Sequence, residues 1–240
     1  MWSVGSDPIN VFLGAGTLGI ASPGDDRGEW RAVQSTSESV EALCAHIEAN
    51  PAQRRVRIWL SGSLARPYLV PALAGLASAA DAHRVAESMC AEQTGLAGPC
   101  RIWLDRWAPE AACLAVAVEQ TVIDAIEGVA RPRRARVDAI RPWWTVVLSR
   151  VLESSSPHLI AIDDGEATTL VGGEDGLFSI ATSHGRLDRD AVRALSKRAE
   201  LSGRLTSAAS LMVTRETRGS GQSEATRLTV PFGATTEAVE

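Results

Sequence analysis

The residues able to do chemistry in this chain are few, and they gather in two turns and one basic run. Asp163 and Asp164 stand just before Gly165 and Glu166, between two apolar stretches. Adjacent carboxylates of this kind read either as a metal-binding pair or as turn chemistry, because Asp before Gly is common in turns. Gly14, Gly16 and Gly19 match the pattern G-x-G-x-x-G literally. A dinucleotide fingerprint also needs a helix to follow, and 17–21 reads as a strand. Ser61-Gly62-Ser63 lacks the spacing of G-x-S-x-G, and His46, His83, His158 and His184 have no acidic partner at matching spacing, so little supports nucleophilic catalysis or a hydrolase. Lys197 is the only lysine, which excludes a Schiff base elsewhere and any P-loop; the arginine preference itself reads as a GC-rich genome's habit. Cys44 and His46 form an isolated C-x-H with no second pair, which argues against zinc. Arg131, Arg133, Arg134 and Arg136 form the densest basic cluster. A solvated loop is its default reading, and a surface for an acidic partner or anionic lipid headgroups its functional one.

The elements that must hold these residues follow from apolar periodicity. Strands are expected at 9–13, 18–21 and 29–34, with the glycine turn of residues 14–17 between the first two. Thr36 or Ser37 then caps a helix whose Val40, Leu43, Cys44 and Ile47 fall at i, i+3, i+4 and i+7, and Asn50-Pro51 stops it. A strand at 56–60 completes a βββαβ half. In the middle, 69–76 is ambiguous; helices are expected at 81–94, 120–129 and 143–152, and strands at 101–104, 112–118 and 136–140. Arg57-Ile58-Trp59-Leu60 recurs as Arg101-Ile102-Trp103-Leu104, marking two similar strands. Trp143 and Trp144 open a helix about 100° apart around its axis, so at most one faces solvent and core packing is the expectation. Strands at 159–163, 167–171 and 177–182, a helix at 188–201 and a strand at 211–214 repeat βββαβ. Residues 217–225 read as a polar, mobile loop, 227–232 as a last strand and 233–240 as a frayed tail.

The chain has 240 residues and a net charge of −5 from 24 basic and 29 acidic residues, with 45% hydrophobic residues. That composition can bury a substantial core, and its acidic balance argues against a general nucleic-acid binder. Residues 1–7 lack the charged start of a secretory signal, and no apolar run approaches the length of a bilayer span. The four cysteines lack C-x-x-C spacing, so they are expected as reduced, mostly buried thiols of a cytosolic chain.

Two βββαβ halves, each opening on strand, Gly turn, strand, resemble the duplicated α/β architecture of the actin-like (RNase H-like) ATPase fold with a small α/β insert. The phrase from Leu159 through Asp163, Asp164, Gly165 and Glu166 to Val171 is similar to the second phosphate motif of PilM. The position of the insert is similar to that in FtsA, PilM and the cytoplasmic domain of GspL. The resemblance divides the chain into a first lobe at 1–66, an insert at 67–154 and a second lobe at 155–240. It implies two phosphate turns built from Gly14, Gly16, Thr17, Asp163, Gly165 and Thr168. In active members the first hairpin reads Asp-x-Gly-Thr; here Gly14 stands at the carboxylate position. The late Gly-Gly adenosine motif has no counterpart in Arg215-Glu216-Thr217-Arg218. The turns are therefore expected to be vestigial, with no cofactor, ATP and Mg²⁺ being what complete members take. The function implied is a non-catalytic cytoplasmic scaffold at the inner face of a bacterial inner membrane. It would serve a type IV pilus or type II secretion assembly platform, with a membrane partner and the secretion or pilus ATPase as its contacts. The competing class is an active ATPase of the same fold.

Overall fold

The computed structural model describes residues 7–25, 27–51, 54–73, 75, 77–105, 107–108, 111–130, 135–154, 159–173, 179–183, 185–201, 210–216 and 226–239. The N-terminal apolar runs become β1 (Ile9–Leu13) and β2 (Thr17–Ala21), an antiparallel hairpin, with β3 (Glu29–Ala32) on its outer edge. α1 (Thr36–Ala49) starts one residue earlier than expected: Ser35, in extended conformation, accepts from Glu38 N, satisfying one of the first-turn amides. β4 (Arg55–Leu60) then pairs parallel to β1. β1 is apolar except at Asn10 and buried almost throughout, as a strand covered on both faces is. β4 begins with half-buried Arg55 and Arg57 and is buried throughout only from Ile58 to Leu60.

The middle of the chain divides differently from the expectation. β5 (Arg66–Val70), α2 (Ala79–Thr94), β6 (Cys100–Leu104) and β7 (Cys113–Glu119) form a separate unit, a three-stranded sheet of order β5-β7-β6 with α2 across it. Its small core contains Tyr68, Ala86, Cys90, Ile102 and Cys113. The ambiguous 69–76 run thus contributes the end of a strand that begins earlier, at Arg66. α3 (Gln120–Ala130), β8 (Arg136–Pro142) and α4 (Trp143–Ser154) follow, and β8 pairs parallel to β4. The five-stranded sheet is therefore β3-β2-β1-β4-β8. Against the expected first lobe at 1–66 and insert at 67–154, the strand pairing puts Arg66–Glu119 in its own sheet, and the chain returns to the first sheet through β8. Local periodicity cannot reveal that return, because register with a strand some eighty residues away leaves no local signal.

The second half repeats the plan. β9 (Leu159–Asp163), β10 (Thr168–Gly172) and β11 (Ser179–Ser183) form an antiparallel meander. α5 (Arg189–Leu201) leads to β12 (Ser210–Arg215), parallel to β9. Here the sheet is extended by a hairpin, β13 (Thr226–Leu228) and β14 (Ala234–Val239), giving β11-β10-β9-β12-β14-β13. The segment expected to fray is thus a strand paired along the whole of β12, with Val239 buried, and the last-strand expectation at 227–232 shrinks to β13. The expected mobile loop at 217–225 lies outside the described residues.

The two halves share one core. The largest apolar cluster runs from Val11, Phe12 and Leu60 through Trp143 and Val147 to Ile160, Ile162, Val213 and Phe232. Both Trp143 and Trp144 are buried, the indole N–H of the first donating to Pro231 O at 2.8 Å and that of the second to Ala65 O at 3.4 Å. Phe232, between β13 and β14, has φ 69 and packs its ring against Phe12 and Trp30, at centroid distances of 5.9 and 5.1 Å. A non-glycine residue in the left-handed region costs roughly 1–2 kcal/mol, which the burial of the ring offsets.

Candidate functional site

Two hairpin turns face each other across the junction of the halves. In the first, Gly14 N donates to Thr17 O at 2.8 Å; in the second, Asp164 N donates to Ala167 O at 3.1 Å. The strand registers agree, Leu13 opposite Leu18 and Asp163 opposite Thr168. Gly14 therefore corresponds to Asp164 in the second turn.

The contents of the two turns are complementary. The first turn carries no charged side chain, and its Ala15 and Gly16 amides point outward. Glu166 crosses from the second turn and meets them: Oε2 accepts from Ala15 N at 2.7 Å and Oε1 from Gly16 N at 2.8 Å. Ser63 Oγ donates to the same Oε2 at 2.7 Å. Gly14 makes the approach possible, because a Cβ there would fall on the Glu166 carboxylate, its three nearest atoms being Oε1, Cδ and Oε2. Position 14 therefore lacks its own carboxylate and receives one from the opposite lobe.

Asp164 crosses in the same way. Its Oδ2 accepts from Ser61 Oγ at 2.8 Å and Gly62 N at 2.6 Å, in the turn that follows β4; its Oδ1 accepts from Glu166 N and Ala167 N, both at 3.0 Å. Burial pushes the Asp164 carboxyl up from its ordinary value, against these four hydrogen bonds, which favour the charged form. Asp163 is fully buried but engaged elsewhere: Oδ1 accepts from Gly165 N at 2.8 Å, and Oδ2 pairs with Arg186 at 2.8 Å. That pairing holds the Arg186 guanidinium above its ordinary value. The adjacent aspartates thus point to different partners, and no group of three or more ligating side chains with metal-site geometry occurs among the described residues.

Arg215 closes the turn from the second sheet. It is only 6% exposed, and its guanidinium lies 3.9 Å from the Trp30 ring centroid and 4.5 Å from that of Phe12. Among the described residues, its Nε and Nη1 have no hydrogen-bond partner. Burial lowers its pKa to about 10, while Asp164, Glu166 and Asp163 pull the other way, so it is charged at neutral pH. Gly165, at φ 92, admits it: a Cβ there would lie 2.5 Å from Nη2. The stack over two aromatic faces supplies favourable electrostatics to the unpartnered N–H groups.

Of the expected turn residues, Gly14 and Gly16 meet across the junction with the turn of Gly165. Thr17 closes its own hairpin, and Thr168 is buried and accepts from Leu187 N at 2.9 Å, away from the junction. Sequence reasoning singles out Asp164 only as half of a metal pair or a turn residue, and it misses Ser61, Ser63, Glu166 and Arg215 as contributors; Ser61-Gly62-Ser63 reads there only as an incomplete nucleophile motif. Of the basic cluster, Arg131, Arg133 and Arg134 lie outside the described residues, as do His158 and His184. Arg136 is exposed and paired with Asp138 at 3.0 Å, which also holds Arg55 at 2.7 Å. Cys90 and Cys113 are buried, and Cys44 and Cys100 partly so.

A second feature lies beside the insert. A groove of about 390 Å³ runs between the β6–β7 face and α4, lined by Trp103, Leu104, Leu114, Val116, Trp144 and Leu148, with Asp105 and Leu152 at its margin. Leu152 is 55% exposed. No helix among the described residues is long and apolar enough to cross a membrane.

No protein-family model and no curated protein matches the chain. Solved structures do. A Bacteroides thetaiotaomicron protein with an actin-like ATPase fold and unknown function is 12% identical, with 85% of this chain covering 80% of that one at a TM-score of 0.52. The PilM–PilN type IV pilus biogenesis complex is 14% identical, with 84% of this chain covering 67% of that one at a TM-score of 0.50. The cytoplasmic domain of EpsL, an inner-membrane component of the type II secretion system of Vibrio cholerae, is 14% identical over 78% of this chain and 74% of that one, at a TM-score of 0.45. The architecture of this chain is the actin-like α/β fold.

Proposed function

We propose that this chain is a non-catalytic, cytoplasmic scaffold in the inner-membrane assembly platform of a type IV pilus or type II secretion system. Its contacts there would be a membrane-anchored platform protein and the secretion or pilus ATPase. The observation that carries the non-catalytic part is the state of the junction between the lobes. The amides that could cradle a phosphate are taken by Glu166, Asp164 is bound to the Ser61–Gly62 turn, and Arg215 with Phe232 and Trp30 fills the space between the halves. A nucleotide would have to displace three hydrogen bonds of Glu166 and separate a continuous core. Position 14 offers no side-chain carboxylate to a metal ion or an attacking water. The likeness of fold to PilM, which forms a pilus biogenesis complex with PilN, supports the assembly part by analogy.

The groove beside α4 is the surface proposed for the membrane-anchored partner, since an apolar trough with one exposed leucine and one acidic residue at its margin suits an extended peptide. The test titrates the cytoplasmic segment of the platform membrane protein from the same genome against wild type and Leu152→Asp. Leu152 is exposed, so the substitution leaves the fold intact; binding at least tenfold weaker is expected. In parallel, a fluorescent ATP analogue with Mg²⁺ is expected to show no saturable binding. Unchanged partner affinity in Leu152→Asp removes the groove from the proposal. Micromolar nucleotide affinity with turnover that is lost in Asp163→Ala replaces the scaffold by an ATPase.

A further inference from the structure

We propose that Glu166 is a tethered oxyanion ligand: its carboxylate occupies a built anion site in the opposite lobe, and that contact latches the lobes closed without a soluble ligand. The proposal rests on the reading of the junction as filled from within. The site is made of three donors from two separate turns, Ala15 N, Gly16 N and Ser63 Oγ, at 2.7, 2.8 and 2.7 Å. Two successive backbone amides converging on one oxyanion form an anion-binding concavity of the kind found in phosphate sites. Donors aimed at an ionised acceptor make hydrogen bonds about twice as strong as neutral ones.

Three further observations argue that this is a binding site with an occupant and not an incidental surface contact. The partners are 150 and 151 residues apart in sequence and belong to different sheets. The approach exists only because residue 14 has no side chain. The charge is distributed asymmetrically: the first turn presents amides without a carboxylate, and the corresponding second turn presents carboxylates with Arg215 as buried counter-charge. An empty nest in the first lobe and a free carboxylate in the second would each be well hydrated; together they give a closed interface whose ligand has an effective concentration set by the chain itself.

The test is chemical rescue in the full chain. Glu166→Ala vacates the site and leaves the donors in place. Its unfolding midpoint is measured against sodium formate, with sodium chloride holding the ionic strength constant. The variant's midpoint is expected to rise with the logarithm of formate concentration above its dissociation constant, by about 3–6 °C for each tenfold. The wild type, whose site is occupied, is expected to stay flat. Adding Ser63→Ala to Glu166→Ala removes one charge-assisted donor and weakens the formate response by roughly tenfold. If Glu166→Ala does not fold in chloride, refolding it in formate reads the same site: recovery of folded protein supports the latch, and no recovery overturns it. Equal responses of variant and wild type, or a response that Ser63→Ala leaves unchanged, also overturn it. These readouts involve neither partner nor nucleotide, so a failed partner titration leaves them standing.

Discussion

Replacing Gly14 by alanine isolates the contact that closes the lobes. Gly14 does not occupy the left-handed region, so alanine is conformationally admissible there. The new methyl would fall on the Glu166 carboxylate, and the flexible side chain would have to leave. Three hydrogen bonds to a charged acceptor are then lost. Each is worth about 1.5–3 kcal/mol when buried. Ala15 and Gly16 are exposed, however, so water replaces much of each bond. A net cost of about 1–3 kcal/mol is the resulting estimate, a fall in unfolding midpoint of roughly 2–10 °C for a chain of this size. In the Glu166→Ala background the obstruction is gone, and Gly14→Ala should stabilise by about 0.4–1 kcal/mol, because alanine restricts the unfolded chain. The assay is a double-mutant cycle by urea unfolding at neutral pH. The expected coupling is at least about 1 kcal/mol, with a change of sign for Gly14→Ala between the two backgrounds. Additivity within about 0.5 kcal/mol would refute the reasoning.

Other expectations follow from the same interface and from the insert. Phe232→Ala should cost about 3–5 kcal/mol through loss of a buried ring, and Phe232→Gly should be no worse, since glycine relieves the φ of 69; a glycine variant less stable than the alanine one in urea unfolding contradicts the account. For Asp164, burial holds the folded-state pKa above its unfolded value of 3.8. Between those values the folded chain binds more protons than the unfolded one, so this group's contribution to stability declines as pH rises through that window. The stability gap between wild type and Asp164→Asn should therefore narrow as pH increases from about 4, and unfolding series at several pH values that show it widening would reverse the sign. In the insert, burial pushes the Cys100 thiol up to about 11 from 9.0, leaving about one hundredth of the ordinary thiolate fraction at pH 8. Alkylation of Cys100 by iodoacetamide, followed by mass spectrometry, should be correspondingly slow, and a rate equal to that of free cysteine counts against the burial argument.

Much of the element order was legible because it rests on local chemistry. The apolar runs at β1, β4 and β9, the helix spacing of Val40, Leu43 and Ile47, and Gly95 at φ 70 as the C-cap of α2 are readable from nearest neighbours. The duplicated hairpins were visible for the same reason. Three features were not. β8 takes its place beside β4 through pairing across the whole insert, and β14 looks like a polar tail because Thr235, Thr236 and Glu237 break its apolar pattern, although it pairs with β12 on one side and β13 on the other. Arg215 looks like an ordinary surface arginine until Trp30 and Phe12 arrive from the other sheet to cover it.

The sequence by itself determined that this chain carries two α/β halves with matching turns, and that position 14 of the first turn has no carboxylate. Backbone preference and hydrophobic period act over a few residues, so they are encoded where they act. What the missing carboxylate means was decided only in three dimensions. Glu166 stands 152 residues away, yet folding carries its carboxylate onto the amides beside Gly14. A glycine that reads as a lost catalytic group is, in the folded chain, the opening through which the other lobe supplies one. Complementarity of shape and charge between two turns exists only once both sheets have formed and packed on their common core.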